Sequence, residues 1–305
     1  MKKISLSCMI LVVFSVLLSA CGFGPGSAIS GPKDSGTIVV GSKNFSENII
    51  VGDMEYYLLK AKLKGVNVEN KANLGSTAVL WNALQSGQLD TYVDYTGTGL
   101  VDILKMPVTH NPDEAYQTVK KEYPTRYHID WLNPMGFNDT YAVAVPKTIA
   151  EKYHLKKISD LAPIASQLVF GGEPDYFTRP DAYPGLSNTY GLHFQSLKQI
   201  DVGLKYQAAA NNQVQVLDVY STDGNLLRYG MTVLEDDKHF FPPYYAAPIV
   251  RESTLKAHPE ISSILNSLQN TLTDSSMLQL NYQVDVQHKS PDDVAQQFLK
   301  SKGLL

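Results

Sequence analysis

Apolar positions along this chain recur in two registers, one suited to strands and one to helices. Thr37-Ile-Val-Val-Gly41 is a short β-branched run that predicts a strand. From Ser46 and Glu47 the spacing becomes helical, with Ile50, Met54, Tyr57 and Leu58 on one face. Val66-Asn-Val68 starts a second strand. A helix capped by Ser76 or Thr77 then runs through Val79, Leu80, Ala83 and Leu84 to Gly87, and Leu89 to Tyr95 is a third strand. This βαβαβ order predicts a parallel sheet with right-handed crossovers. A helix follows from Pro112 to Tyr123, then strands at 128–132 and 140–145 around a Pro134/Gly136 break. A second alternating set runs to about Val233, with strands at 168–171, 198–201 and 214–219 and a helix at 204–211. Ala247-Pro-Ile-Val250 predicts one more strand. The tail reads as helical, with Ile261, Ile264, Leu265 and Leu268 at helical spacing over 259–272 and Ser290-Pro291 as a start signal for a last helix. Two α/β halves with a helical tail imply two lobes and a cleft, and ligands of open α/β sheets sit beyond the carboxyl ends of the strands. No internal repeat or coiled-coil pattern is visible.

The chain start changes the picture by assigning a compartment. Lys2 and Lys3 precede an apolar stretch from Ile4 to Leu18, too short and too close to the terminus for an ordinary spanning helix; it reads as a secretory leader. It ends in Leu18-Ser19-Ala20-Cys21-Gly22, a run that resembles the lipobox of bacterial lipoproteins. That resemblance implies a leader over 1–21, lipidation of Cys21 and a protein held on the extracytoplasmic face of the cell membrane. Residues 22–35 are rich in Gly, Ser and Pro and predict a flexible tether. The other cysteine, Cys8, lies in the leader, so no thiol remains for a disulfide, a metal or a nucleophile. The formal net charge of −4 and the absence of a basic patch argue against a nucleic-acid partner. Tyrosine is the one compositional bias, 18 against 10 Phe and 2 Trp, and its apolar face with a polar tip suits wet, concave sites.

Several blocks in order carry a more specific signal. Gly41-Ser-Lys-Asn-Phe-Ser-Glu47, Leu74-Gly-Ser-Thr77, Leu89-Asp-Thr-Tyr-Val-Asp-Tyr-Thr-Gly-Thr98, Phe137-Asn-Asp-Thr-Tyr-Ala142, Thr222-Asp-Gly224 and the 236–244 segment ending in Pro-Pro-Tyr244 resemble the binding proteins of bacterial ABC importers for osmoprotectants such as glycine betaine, carnitine and choline. The resemblance covers roughly Thr37 to the C-terminus. It implies an α/β fold of the type II periplasmic-binding-protein class, with 36–131 and 237–305 forming lobe I, 132–236 forming lobe II, and a ligand cleft between them. It also implies a small quaternary ammonium solute and membrane permease subunits as partners. The family's four-tyrosine cage falls on Tyr95, Tyr141, Tyr220 and Tyr244; the pattern takes the first Tyr after Pro-Pro, which selects Tyr244 over Tyr245. Asn48 and Thr98, in the family's ligand loops, and Asn138 are the candidate partners of the solute's polar tail. A neutral hydroxyl at Thr98 accommodates carboxylate and alcohol tails alike, so betaine, carnitine and choline are all expected solutes. A cage suits this chemistry because a trimethylammonium group has no N–H to donate, and aromatic faces attract its diffuse charge instead.

Other chemistries find little support. His110, His128, His154, His193, His239, His258 and His288 form no close metal-ligand spacing, and a nucleophile elbow and a phosphate loop are absent. No cofactor or metal is implied, and an enzyme is not expected. A choline-only receptor, or the same fold holding another small polar solute, is the alternative. Lys43 reads either as an attractor of a carboxylate or as a solvated strand end, and Asp90 and Asp94 as caps or ion-pair partners.

Overall fold

The structure is a computed structural model that describes residues 36–305. The leader, Cys21 and the tether lie outside the described residues. The chain first lays down β1 (Thr37–Lys43), β2 (Asn67–Gly75), β3 (Thr91–Tyr95) and β4 (Ile129–Trp131). It then builds β5 (Tyr141–Pro146), β6 (Val169–Gly172), β7 (Ser196–Gln199), β8 (Val216–Tyr220) and β9 (Met231–Leu234). Finally it returns as β10 (Ala246–Arg251). Two five-stranded sheets result, ordered β2-β1-β3-β10-β4 and β7-β6-β8-β5-β9. The chain passes between them twice, over 131–141 and 234–246, and the two passages run side by side, with Asn138 and Tyr245 bridged antiparallel.

β1, β2 and β3 are parallel, as the βαβαβ pattern predicts, but β10 pairs antiparallel to both β3 and β4. The reason lies in the route. The chain re-enters the first sheet at the carboxyl end of β3, where Ala246 pairs with Tyr95, so it has to run back against the strands already there. β5 has the same relation to β8, Tyr141 pairing with Tyr220. The inner strands β1 and β3 are buried at every residue because helices cover both faces, whereas the edge strand β7 is exposed throughout.

The helix Ser46–Lys62 turns Ile50, Met54 and Leu58 inward and packs on the C-terminal helices Asp274–Asp285 and Pro291–Ser301. Its first turn also buries Glu47 and Asn48, polar groups that a purely structural helix would leave in water. Differences from the pattern concern ends and edges. The helix expected over 112–123 continues to Tyr127 before His128 adopts a left-handed conformation. The helix expected over 259–272 stops at Asn266, and Leu268 and Leu272 are buried from the turns beyond it. β9 has no counterpart among the expected strands, since Met231–Leu234 is a mostly half-exposed edge without clear alternation. Ser76 and Ser290 occupy helix-capping positions, but neither side chain makes the capping bond.

Candidate functional site

The carboxyl ends of β1, β3 and β8 and the amino end of β5 converge on a cavity of about 450 Å³. Strand register brings its aromatic wall together. Tyr141 and Tyr220 are direct cross-strand partners, and their rings stack 5.2 Å apart. Tyr244, just ahead of β10, meets Tyr141 edge-on at 5.4 Å. Tyr95 closes β3 on the other side of the cavity. Phe45 stands between the two groups, its ring 5.5 Å from Tyr220 and 6.2 Å from Tyr95. All four expected tyrosines therefore line one cavity, together with Thr98, and Phe45 adds a fifth ring. Tyr245 is not part of this wall.

Three of the tyrosines point their hydroxyls at fixed carboxylates behind the wall. Tyr95 donates to Glu47 Oε1 at 2.8 Å, Tyr220 to Glu173 Oε2 at 3.0 Å and Tyr244 to Asp181 Oδ2 at 2.6 Å. Burial, then the nearby carboxylates, hold these phenols well above their ordinary range, so the rings stay neutral. Glu173 is itself fixed by the wholly buried Lys205, whose ammonium lies 2.7 Å from Glu173 Oε1 and 3.5 Å from Asp218. Burial raises Asp218 to about 7 against the pull of Lys205.

Two cations face the same space. Lys43 is buried and ion-paired with Asp94 at 2.7 Å, with its ammonium 5.2 Å from the centre of the Tyr95 ring. Of its two sequence readings, the solvated strand end is excluded. Arg179 is held bidentate by Asp181, at 3.0 Å and 2.6 Å, and reaches Asp102 at 3.5 Å. Asp139 and Glu173 also line the wall, Glu173 as the partner of Lys205. The cavity thus offers aromatic rings and acidic side chains to one end of a solute and two anchored cations to the other.

The two asparagines sit differently. Asn48 accepts from the Lys43 backbone N–H at 2.7 Å and donates to Val93 O at 2.9 Å, so its amide is consumed inside the protein and ties β1 to β3 beneath Tyr95. Asn138 accepts from the Tyr244 backbone N–H at 2.6 Å and sets the entry to β10. Neither lines the cavity. Asp90 takes the Val39 N–H at 2.7 Å and the Thr254 hydroxyl at 2.6 Å, a structural role of the kind expected for it.

Phe45 lies inside the Gly41–Glu47 block, and its position between strand end and helix start was the only available hint. Glu173 and Arg179 carry no such mark, because they reach the cavity through loops after β6. Beside the main cavity lies a smaller recess walled by Glu47, Asp139, Thr222 and Asn281. Among the described residues no group of His, Cys, Asp or Glu is arranged to hold a metal, and no helix is long and apolar enough to cross a membrane.

Comparison with known proteins gives this geometry a context. Residues 36–301 match the family described as the substrate-binding domain of ABC-type glycine betaine transport systems, OpuAC. The chain is 36% identical over 304 residues to the carnitine transport binding protein OpuCC of Listeria monocytogenes, covering 99% of this chain and 97% of that one. It is 37% identical over 293 residues, 96% of its length, to the ergothioneine transport permease/ergothioneine binding protein EgtU of Helicobacter pylori; the chain spans about half of that protein, 52%. Among solved structures it resembles a glycine betaine/carnitine/choline ABC transporter protein, with a TM-score of 0.71 at 33% identity over 88% of this chain and 99% of that one.

Proposed function

The chain belongs to the family of substrate-binding domains of ABC-type glycine betaine transport systems, and from that premise we propose that it captures quaternary ammonium solutes in an aromatic cage of Tyr95, Tyr141, Tyr220 and Tyr244 and hands them to a membrane permease. Members of this family bind solutes for an importer; they are not enzymes. The observation that carries the proposal is the convergence of the four rings from both sheets on one cavity that also holds Lys43, Arg179 and Thr98. Each ring face contributes about 0.5–2 kcal/mol of cation–π attraction to a desolvated trimethylammonium group. Micromolar capture needs roughly −8 kcal/mol, so burial of the methyl groups and the polar tail supply the remainder. For a carboxylate tail the partners are Arg179, Lys43 and the Thr98 hydroxyl.

In this reading 36–131 with 237–305 forms one lobe and 132–236 the other, and the paired passages at Asn138 and Tyr245 act as the hinge. Cys21 carries the lipid that keeps the receptor at the extracytoplasmic face of the membrane. The relative named for ergothioneine supports a second reading of the solute, with ergothioneine in the same cavity.

Isothermal calorimetry of the wild type with glycine betaine, carnitine, choline and ergothioneine tests both readings. Tyr95→Ala and Tyr220→Ala are each expected to weaken the bound solutes by about 1–2 kcal/mol with the fold retained. Wild-type affinity for every quaternary ammonium in both variants would remove the cage.

A further inference from the structure

Thr222 stands between two buried carboxyl groups. Its Oγ1 is 2.5 Å from Glu47 Oε2 and 2.6 Å from Asp139 Oδ1. Both are hydrogen-bond distances, and a hydroxyl has a single proton to donate. Were both carboxyls ionised, one of these contacts would set lone pair against lone pair in a buried place. From this count we infer that Glu47 and Asp139 together hold one proton, shared through Thr222, and that this proton lets the two acids meet across the two halves of the protein at this point.

The rest of the surroundings says where it sits. Glu47 accepts from Tyr95 at 2.8 Å, from the Asn281 amide at 3.0 Å and from Thr222, which is the environment of a carboxylate. Burial raises Glu47 too, but its hydrogen bonds, one of them to Asp139, oppose the rise. Asp139 has the Thr222 hydroxyl and Glu47 itself as partners, and burial, then the charge of Glu47, push it well above the usual carboxylate range. The proton therefore rests on Asp139, whose O–H donates to Thr222 Oγ1, while the Thr222 O–H donates to Glu47 Oε2. Of the other charged groups near the pair, Asp223, from the turn after β8, further raises Asp139, and Asp285, from the helix Asp274–Asp285, lines the same recess. Asp223 favours keeping the proton.

Glu47 rides on the first helix, against the first sheet, while Thr222 follows β8 of the second. The clasp thus spans the halves, and Asn281 adds a second tie by donating to Thr222 O at 2.9 Å. Parted, both acids would meet water and ionise; joined, they take up one proton. Because Asp139 is raised in the joined form, the clasp is at full strength below the ordinary carboxylate range and is lost as pH climbs through the raised value. That solute capture follows the same dependence rests on the reading of the site given above, and it implies affinity that falls with alkaline pH.

Two measurements on the full protein test this. Infrared difference spectra near neutral pH, without solute and with saturating glycine betaine, should show a protonated-carboxyl carbonyl band that both Glu47→Gln and Asp139→Asn remove. Asp139→Asn keeps a donor toward Thr222, so it should stay folded and joined. A band untouched by either variant in both states would overturn the shared proton. Calorimetry with glycine betaine, which has no group that titrates near neutrality, is run alongside in two buffers of different ionisation enthalpy. Buffer-dependent heat in the wild type that vanishes in Asp139→Asn supports the coupling. If betaine gives no heat while the band is present and lost in the variants, the solute reading fails and the clasp stands.

Discussion

A tyrosine ring becomes a good cation receptor when its hydroxyl is occupied elsewhere, and three of the four wall tyrosines are tied back to Glu47, Glu173 and Asp181 in this way. Carboxylates placed behind rings need burial, and burial has a cost in pH sensitivity. Glu55 shows that cost apart from the site. It is fully buried on the helix Ser46–Lys62, accepts only from Thr91 at 3.2 Å, and leaves Oε1 without a hydrogen-bond partner. Burial raises its pKa from 4.5 to about 8, opposed weakly by Thr91. A raised acid contributes stability that is complete below the unfolded pKa and drains away as pH climbs toward the folded value. Glu55→Gln is therefore expected to flatten the fall in stability between pH 4.5 and about 8, gaining on the wild type by a few kcal/mol (on the order of 2–4) at the alkaline end. Urea unfolding across that range checks it, and parallel curves for the two proteins would contradict the assignment.

Elements, more than single residues, decide where the rings stand. Tyr141 and Tyr220 face each other because β5 and β8 pair in that register, and slipping either strand by one residue would turn its own ring to the opposite face. Tyr244 is held differently, by close backbone. An added Cβ on Gly97 would lie 2.5 Å from Tyr244 Cε1, whereas one on Gly99 would lie 2.6 Å from the Trp131 ring, in the core. Gly97→Ala should push the Tyr244 ring out of the cavity and cost solute affinity about 1–2 kcal/mol, the scale of one displaced cation–π contact. Gly99→Ala should act mainly on stability, at about 1–3 kcal/mol for overpacking, with the smaller effect on affinity. Thermal unfolding and calorimetry on the pair separate these roles; equal affinity losses would show that the two glycines do not divide the work.

At the scale of the molecule, two stretches of chain connect the sheets among the described residues, and their bridge at Asn138 and Tyr245 sits next to cavity residues Asp139 and Tyr244. The proposed hinge would be a few residues there that absorb a rotation of whole lobes. Solutes that touch tyrosines from both sheets favour the closed arrangement by their differential contacts. Small-angle scattering should accordingly give a smaller radius of gyration with saturating glycine betaine than without it. Identical profiles would mean that the free protein is already closed or that no closure accompanies capture.

Period and punctuation alone were enough for the α/β class, for the parallel run β1 to β3 and for most helix starts, because those features depend on contacts local in sequence or on burial of both strand faces. The resemblance brought Tyr95, Tyr141, Tyr220, Tyr244 and Thr98 forward as a group, and they line one cavity. Tertiary structure decided the rest. Asn48 and Asn138 belong to ligand-loop blocks, yet their side-chain oxygens accept from Lys43 N and Tyr244 N, a fact that depends on which backbone groups lie beside them after folding. Arg179 meets Asp102, and Lys205 meets Glu173, from segments well separated in the chain. The antiparallel return of β10 follows from where the chain re-enters the first sheet. The proton count at Thr222 exists only once residues 47, 139 and 222 are brought within hydrogen-bond distance, because no spacing in a sequence records how many acceptors meet one hydroxyl.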